Sequence, residues 1–234
     1  MRYLRILLLL AIITSYYGCN KKHKQPINKA PIPERKSQKK LIKKEKTAEK
    51  TWDSLNRNNV NAFFTEYGKQ NKETIVIIKT DFGNIKIRLY NDTPIHRANF
   101  IFLSKIGYFD TTVFYRVSPN FVIQAGNSER KDAYDYRKKY RFYKLSPEFL
   151  SHRRHKYGAI AAARDWNNNP KKMSNGFQFY IIQNRNGGHH LNNEHTVFGE
   201  VISGFSTIDK ISRLETTSDE WPKIDVPLKV KVIR

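Results

Sequence analysis

Phe114-Tyr115-Arg116-Val117-Ser118-Pro119-Asn120-Phe121-Val122-Ile123-Gln124-Ala125-Gly126 is two apolar strands around a polar turn, with an arginine and a glutamine set among apolar neighbours. Strands are predicted at 113–117 and 121–125, with Ser118-Pro119-Asn120 as the turn. Along a strand, Phe121 and Ile123 point to one face while Val122 and Gln124 point to the other. Arg116, Phe121 and Gln124 can share a surface only if the chain bends locally, and the turn supplies a bend.

The same short-strand grammar extends on both sides. Ile75 to Ile78 is an apolar run, Asp81-Phe82-Gly83-Asn84 a turn, and Ile85, Ile87 and Leu89 alternate with Lys86 and Arg88. Further strands are predicted at 157–163, 177–183, 196–201 and 226–233. A helix starts at Thr93 as N-cap with Pro94 in its first turn, presents Ile95, Ala98, Phe102, Leu103 and Ile106, and stops at Gly107. A second helix is predicted at 206–214. Many short strands with two helices fit a closed antiparallel barrel better than a βαβ sheet. Ahead of the strands, Val60, Phe63, Phe64 and Tyr67 form one helical stripe. Thr51 or Asp53 could cap this helix and Gly68 would stop it; its expected role is packing on its own domain.

The first fifty residues differ in kind. Residues 1–5 are basic and 6–13 are an unbroken apolar run, too short to span a bilayer comfortably and typical of a signal peptide over 1–18. Gly18-Cys19 resembles the cleavage site of bacterial lipoproteins, in which the cysteine is lipidated; Tyr16 and Tyr17 depart from that motif. An uncleaved anchor and ordinary secretion are the alternatives. Residues 19–50 are rich in lysine, with Pro26, Pro31 and Pro33, and read as a basic disordered tether. The net charge of +22 over 234 residues favours polyanionic neighbours, here anionic envelope polymers or acidic lipid. Cys19 is the single cysteine, so no intrachain disulfide can form. The expected location is the cell envelope, with Cys19 holding the chain to a lipid bilayer.

Four motifs in register carry a resemblance. The 114–126 stretch resembles the cyclophilin signature. Gly83 to Tyr90 followed by Thr93 to Phe109 is similar to that family's opening hairpin and helix. Asn175-Gly176-Phe177-Gln178-Phe179-Tyr180-Ile181 and Leu191-Asn192-Asn193-Glu194-His195-Thr196-Val197-Phe198-Gly199 are similar to two later segments. The resemblance covers roughly 74–234, so 51–70 is an additional amphipathic helix and 71–234 the isomerase-like domain. It implies a mainly β fold, a closed eight-stranded antiparallel barrel capped by two helices, and peptidyl-prolyl cis–trans isomerase activity on proline-containing polypeptides, carried by a monomer. It places Arg116, Phe121 and Gln124 at the catalytic positions. Tyr115, Val122, Ala163, Gln178, Phe179, Tyr180, His190, Leu191 and His195 fall at substrate-contacting positions.

The chemistry accounts for those residue types. Rotation about an X–Pro bond faces a barrier of ~18–20 kcal/mol because amide resonance must be broken. No bond is made or cleaved, so no nucleophile, metal or cofactor is needed. A fixed guanidinium aimed at the prolyl nitrogen stabilises the twisted state, and an apolar slot holds the ring. Taken singly, an arginine in a strand is a solvated residue and an apolar cluster is core; the joint spacing argues for a site. His195 alone stays open between contact and packing. His152, His155, His189 and His190 match no metal-ligand spacing, and Gly187-Gly188 lacks the setting for phosphate binding.

Several residues depart from the family. Tyr115 stands where His is common, Tyr180 replaces a Phe of the slot, and His190 stands where several members have a Trp that contacts cyclosporin. Arg164-Asp165-Trp166 makes the rim more charged. The basic, tyrosine-rich segment between Gly126 and Tyr157 reads as a surface loop, with a polyanion patch as the alternative; nucleic acid is not an expected partner. Two functions compete: an envelope foldase for exported proteins, and a non-catalytic module that holds proline segments as a chaperone or adaptor. An intact Arg116 favours catalysis, because a binding groove has no need of it.

Overall fold

The computed structural model describes residues 55–233. The segments 1–18 and 19–50, Cys19, Thr51 and Asp53 lie outside the described residues. The helix predicted over 51–70 is α1, Val60–Gln70. A turn leads into it, where Asn59 Oδ1 accepts from the Asn56 N–H (2.8 Å). Val60, Phe64 and Gly68 are buried, and Phe63 and Tyr67 meet Phe102 edge-on, so the stripe packs on its own domain. Gly68 does not stop the helix. A Cβ there would lie 3.2 Å from the Ala98 Cβ, and the Gly68 carbonyl accepts from Arg97 Nη2 (3.1 Å). Glycine is present because two helices touch at this point.

That second helix is α2, Pro94–Lys105, with Thr93 at the N-cap position as predicted. The Thr93 side chain makes no capping bond; Glu148 supplies it from fifty residues away. Its carboxylate accepts from the N–H groups of Ile95 (3.0 Å) and His96 (2.9 Å) and from His96 Nδ1 (2.6 Å). An anion at a helix N-terminus satisfies free donors and faces the positive end of the dipole. Gly107, at φ +77°, ends the helix.

The strands are β1 (Ile75–Thr80), β2 (Gly83–Leu89), β3 (Val113–Ser118), β4 (Val122–Asn127), β5 (Lys144–Leu145), β6 (Ala159–Ala162), β7 (Ser174–Asn175), β8 (Phe179–Ile182), β9 (Val197–Ser203) and β10 (Lys229–Val232). Eight of them form one antiparallel sheet in the order β10-β1-β2-β9-β6-β8-β4-β3. The sheet is open and strongly curled, and this corrects the expected closed barrel. Its edges meet at a single bridge between Val113 and Pro227, flanked by Phe114 N–H to the Val226 carbonyl (2.9 Å) and Leu228 N–H to that of Thr112 (3.3 Å). The two bonds come from the residues flanking the pair, so proline is tolerated at 227, where an N–H would face away from β3. Four helices accompany the sheet among the described residues, where three were expected: α4, Phe205–Ile211, is the helix predicted at 206–214, and α3, Lys131–Lys139, is the additional one.

Alternation sorts the side chains. On β2, Ile85, Ile87 and Leu89 are buried while Lys86 and Arg88 are exposed. On β6 and β8 all four residues are buried, because both faces are covered. The inner face joins the main core with Phe100, Phe109, Phe114, Ile160 and Phe179. The outer face carries a second, smaller apolar cluster of Val122, Ala159, Ala161, Ala163, Tyr180, Ile182, Leu191 and Val197.

The segment between Gly126 and Tyr157 is not the surface loop that its polarity predicts. It contains α3 and β5, and β5 pairs with β7. Tyr140, Tyr143 and Leu145 are 1–2% exposed, and Tyr143 donates to Asn99 Oδ1 (2.5 Å). Of the tyrosines interleaved with lysine and arginine, Tyr140 and Tyr143 are core residues while Tyr134 is exposed. From the same segment Glu148 reaches α2. Replacing Glu148 with Ala removes the cap and leaves a buried imidazole without its partner, so a loss of ~2–4 kcal/mol is expected. Urea unfolding checks this; a change below about 0.5 kcal/mol would show that α2 does not need this carboxylate.

Candidate active site

A β-bulge builds the site. Phe114 pairs with Ala125 and Arg116 with Gln124, so β3 spends two residues where β4 spends one. Phe114 and Val117 point into the core. Tyr115 and Arg116, between them, both leave it. Beyond β3, Asn120 sits at φ 57°, and the Phe121 N–H returns to the Ser118 carbonyl (3.1 Å). Asparagine tolerates this conformation better than most residues. Phe121 thus stands ahead of β4 and faces the outer cluster. The turn supplies the predicted bend; the bulge is a second bend that the sequence pattern did not reveal.

The result is a cleft of about 390 Å³ lined by Arg116, Phe121, Val122, Gln124, Ala163, Arg164, Trp166, Tyr180, Leu191 and His195. Arg116 Nη1 lies 3.4 Å from Gln124 Oε1, and the guanidinium carbon is 6.0 Å from the Phe121 ring centre. Its Nε donates to Glu220 Oε2 (2.6 Å). Gln124 Nε2 donates to the Tyr115 hydroxyl, which donates to Gln178 Oε1 (2.9 Å). Tyr115 and Gln178 therefore brace Gln124 from behind. His190 is exposed at the rim and stacks on Phe121 at 5.4 Å. Phe179 lies elsewhere. It follows Gln178 on the inner face, 2% exposed against Phe100, Phe109 and Phe114, because it alternates with Tyr180. It does not line the cleft.

Tyr180 brings a hydroxyl into the slot, and the fold removes that polarity. The hydroxyl lies 3.0 Å from His155 Nε2, while His155 Nδ1 is 3.0 Å from Asn192 Oδ1. Asn192 Oδ1 is an acceptor, so Nδ1 carries the proton and Nε2 accepts from Tyr180. Only the ring of Tyr180 faces the cleft. His195 Nδ1 donates to the Ala162 carbonyl (3.0 Å), and its ring sits edge-on to Tyr180 at 5.4 Å. At the far rim Trp166 is 61% exposed, 4.1 Å from the guanidinium of Arg164. Arg164 is held by Glu194 (2.6 Å), which also takes Lys172 (2.5 Å). Lys172, followed by Arg164, holds the Glu194 carboxyl below its usual range. Glu220, His155 and Asn192 are the supporting residues that the sequence reading missed. Each acts across a long separation with no local motif, and only the apolar setting of Tyr180 hinted that its hydroxyl needs a partner.

Among the described residues no three His, Cys, Asp or Glu side chains cluster as a metal site would. The sequence profile of the family described as cyclophilin type peptidyl-prolyl cis-trans isomerase/CLD matches residues 75–232. The chain belongs to the cyclophilin-type peptidyl-prolyl cis–trans isomerases. Its domain is an isomerase of class EC 5.2.1.8. A peptidyl-prolyl cis-trans isomerase of Acinetobacter baylyi is 33% identical over 151 residues, 62% of this chain and 75% of that one. A peptidyl-prolyl cis-trans isomerase-like 3 of Mus musculus is 33% identical over 159 residues, 66% of this chain and 92% of its own. A putative bifunctional phosphatase/peptidyl-prolyl cis-trans isomerase of Streptococcus pyogenes is 31% identical over 184 residues, but the match spans only 37% of that longer protein. Two structures of a Cryptosporidium parvum cyclophilin, one solved in the presence of the dipeptide Ala-Pro, share the fold. They match at TM-scores of 0.58 and 0.57 with 23% identity, covering 69% and 68% of this chain and 98% and 99% of theirs.

The cyclophilin slot has an acid limit. Burial lowers His155 from 6.5 to about 4, and His195 moves in the same direction, again mainly by burial. The unfolded chain takes up these protons first. Stability present above pH 6.5 is therefore lost as pH falls towards 4, by roughly 3 kcal/mol for His155. Unfolding free energies between pH 7 and 4.5 should show this slope in the wild type and a shallower one in His155→Gln. An equal slope in both would mean that His155 is not held neutral.

Proposed function

We propose that this cyclophilin domain acts on X–Pro bonds of exported, unfolded or partly folded proteins in the cell envelope, with Arg116 stabilising the twisted imide. The carrying observation is a guanidinium at the edge of an apolar slot formed by Phe121, Val122, Tyr180 and Leu191, with Gln124 beside it. A proline ring in that slot brings its nitrogen toward Arg116. The Cryptosporidium cyclophilin was solved in the presence of Ala-Pro, a dipeptide of this chemical class. Uncatalysed exchange takes ~10–100 s. As resonance is lost the prolyl nitrogen regains its lone pair, and a donor in place for that state but not the planar one lowers the barrier. Gln124, braced by Tyr115 and Gln178, is placed to hold the substrate carbonyl. Ala163 and His195 border the neighbouring wall, and His190 covers the outer side of Phe121.

The N-terminal segments support a location. A basic start, an apolar run and Gly18-Cys19 fit export and lipidation, and the lysine-rich 19–50 segment beside the lipid would reinforce attachment to anionic surfaces. Among the described residues no helix is long and apolar enough to cross a membrane.

Arg116→Ala is expected to lower kcat/KM on a short X–Pro peptide by ~10²–10³-fold, the usual effect of removing one preorganised donor. Equal rates would remove the assigned role of Arg116. For the location, mass spectrometry of the mature protein should find diacylglycerol on Cys19; an unmodified thiol there would dismiss the lipid anchor.

A further inference from the structure

We infer that Glu220 is a positioning residue for the isomerase, fixing the plane of the Arg116 guanidinium so that its unbonded edge faces the proline slot. The inference rests on the role given to Arg116 above. Glu220 lies in the long connection between α4 and β10, 104 residues from Arg116, so no local spacing brings the two together. Its carboxylate grips β3 at two points: Oε2 takes Arg116 Nε at 2.6 Å and Oε1 takes the Ser118 hydroxyl at 2.5 Å. Ser118 anchors the carboxylate, and the carboxylate anchors the arginine.

The backbone supports the same purpose. Glu220 has φ +62°, a conformation that a glutamate seldom adopts. The surroundings impose it: the Glu220 carbonyl accepts from the Val117 N–H (2.8 Å), its N–H donates to the Thr217 carbonyl (3.1 Å), and the Thr217 N–H donates to the Trp221 carbonyl (2.8 Å). Trp221 in turn packs on Tyr115 at 5.7 Å, the residue that braces Gln124. The connection therefore supports both polar members of the site. Residues held in such conformations by their surroundings cluster at active sites.

The ion pair itself is half-exposed, with side chains 33% and 36% accessible, so its attraction adds little to stability. Its effect is geometric. A guanidinium has five N–H donors in one plane. Glu220 uses the Nε donor and Gln124 one on Nη1, which leaves the remaining Nη donors free. Without the carboxylate the flexible side chain can swing toward solvent, and each productive encounter must first find the arginine. The carboxyl is held below its usual range, by the Ser118 hydrogen bond first and Arg116 next, so it is ionised where the enzyme works.

The test is a double-mutant cycle on the full chain: wild type, Glu220→Ala, Arg116→Ala and the double variant, assayed on a short X–Pro peptide. Glu220→Ala should lower kcat on the order of 10-fold, within the ~10² that a 1 Å misplacement can cost, with KM little changed. In the Arg116→Ala background it should have no further effect. Glu220→Gln keeps an acceptor for Nε and should recover most of the rate. Ser118→Ala should give a smaller loss of the same kind, and it keeps the test open if Glu220→Ala misfolds. Wild-type activity in Glu220→Ala, or an equal loss in both backgrounds, overturns the inference while the role of Arg116 stands. Full activity in Arg116→Ala instead overturns the mechanism and this inference together.

Discussion

Strand alternation sends neighbouring side chains to opposite faces, and this site needs two neighbours on one face. The bulge at Tyr115 resolves that conflict. It lets Phe114 and Val117 remain in the core while Tyr115 and Arg116 both turn outward opposite Gln124. The polar group around Arg116 follows from that extra residue. Tyr115 can reach Gln124 and Gln178, Arg116 can reach Gln124 and Glu220, and the turn at Asn120 then brings Phe121 alongside. A regular strand would bury either the arginine or a core residue's neighbour, and a buried guanidinium with no partner is prohibitive.

The slot depends on the sheet being covered on both faces. β6 and β8 run between the main core and the outer cluster, so their outward residues form a dry floor. A tyrosine there is tolerated because its hydroxyl has a complete chain of partners, Tyr180 to His155 to Asn192. The arrangement keeps an apolar ring toward the substrate, and its consequence is that the floor relies on an uncharged imidazole.

Much of this was legible in the sequence, because it is written in local patterns. Arg116 and Gln124 stood out as polar residues within apolar strands, Thr93-Pro94 marked α2, and Phe121 followed a turn. Phe179 could have been excluded by the same alternation, since Phe179 and Tyr180 are adjacent and cannot share a face. Other features were not legible because they depend on separation. The edges of the sheet meet at one bridge, Val113 to Pro227, whose two sides are more than a hundred residues apart. The polarity of 127–156 described a loop, but Tyr140, Tyr143 and Leu145 find a core that the rest of the chain builds. Glu148, His155 and Glu220 each complete a structure whose other half carries no signal for them.

The charges around the cleft show one more constraint. The chain is strongly basic overall, yet the arginines at the cleft are each matched by an acid from another element: Arg116 by Glu220, and Arg164 by Glu194, which also takes Lys172. An unmatched cluster of this kind would attract any anion and favour acidic peptides irrespective of proline. Pairing reduces the long-range field, which decays within about a Debye length in any case, and leaves the short-range hydrogen-bond donors in place. A site that must act on a neutral imide in many sequences needs that separation. The donor has to be strong at 3 Å and indifferent at 10 Å, and an arginine clamped by a carboxylate beside a greasy floor satisfies both requirements.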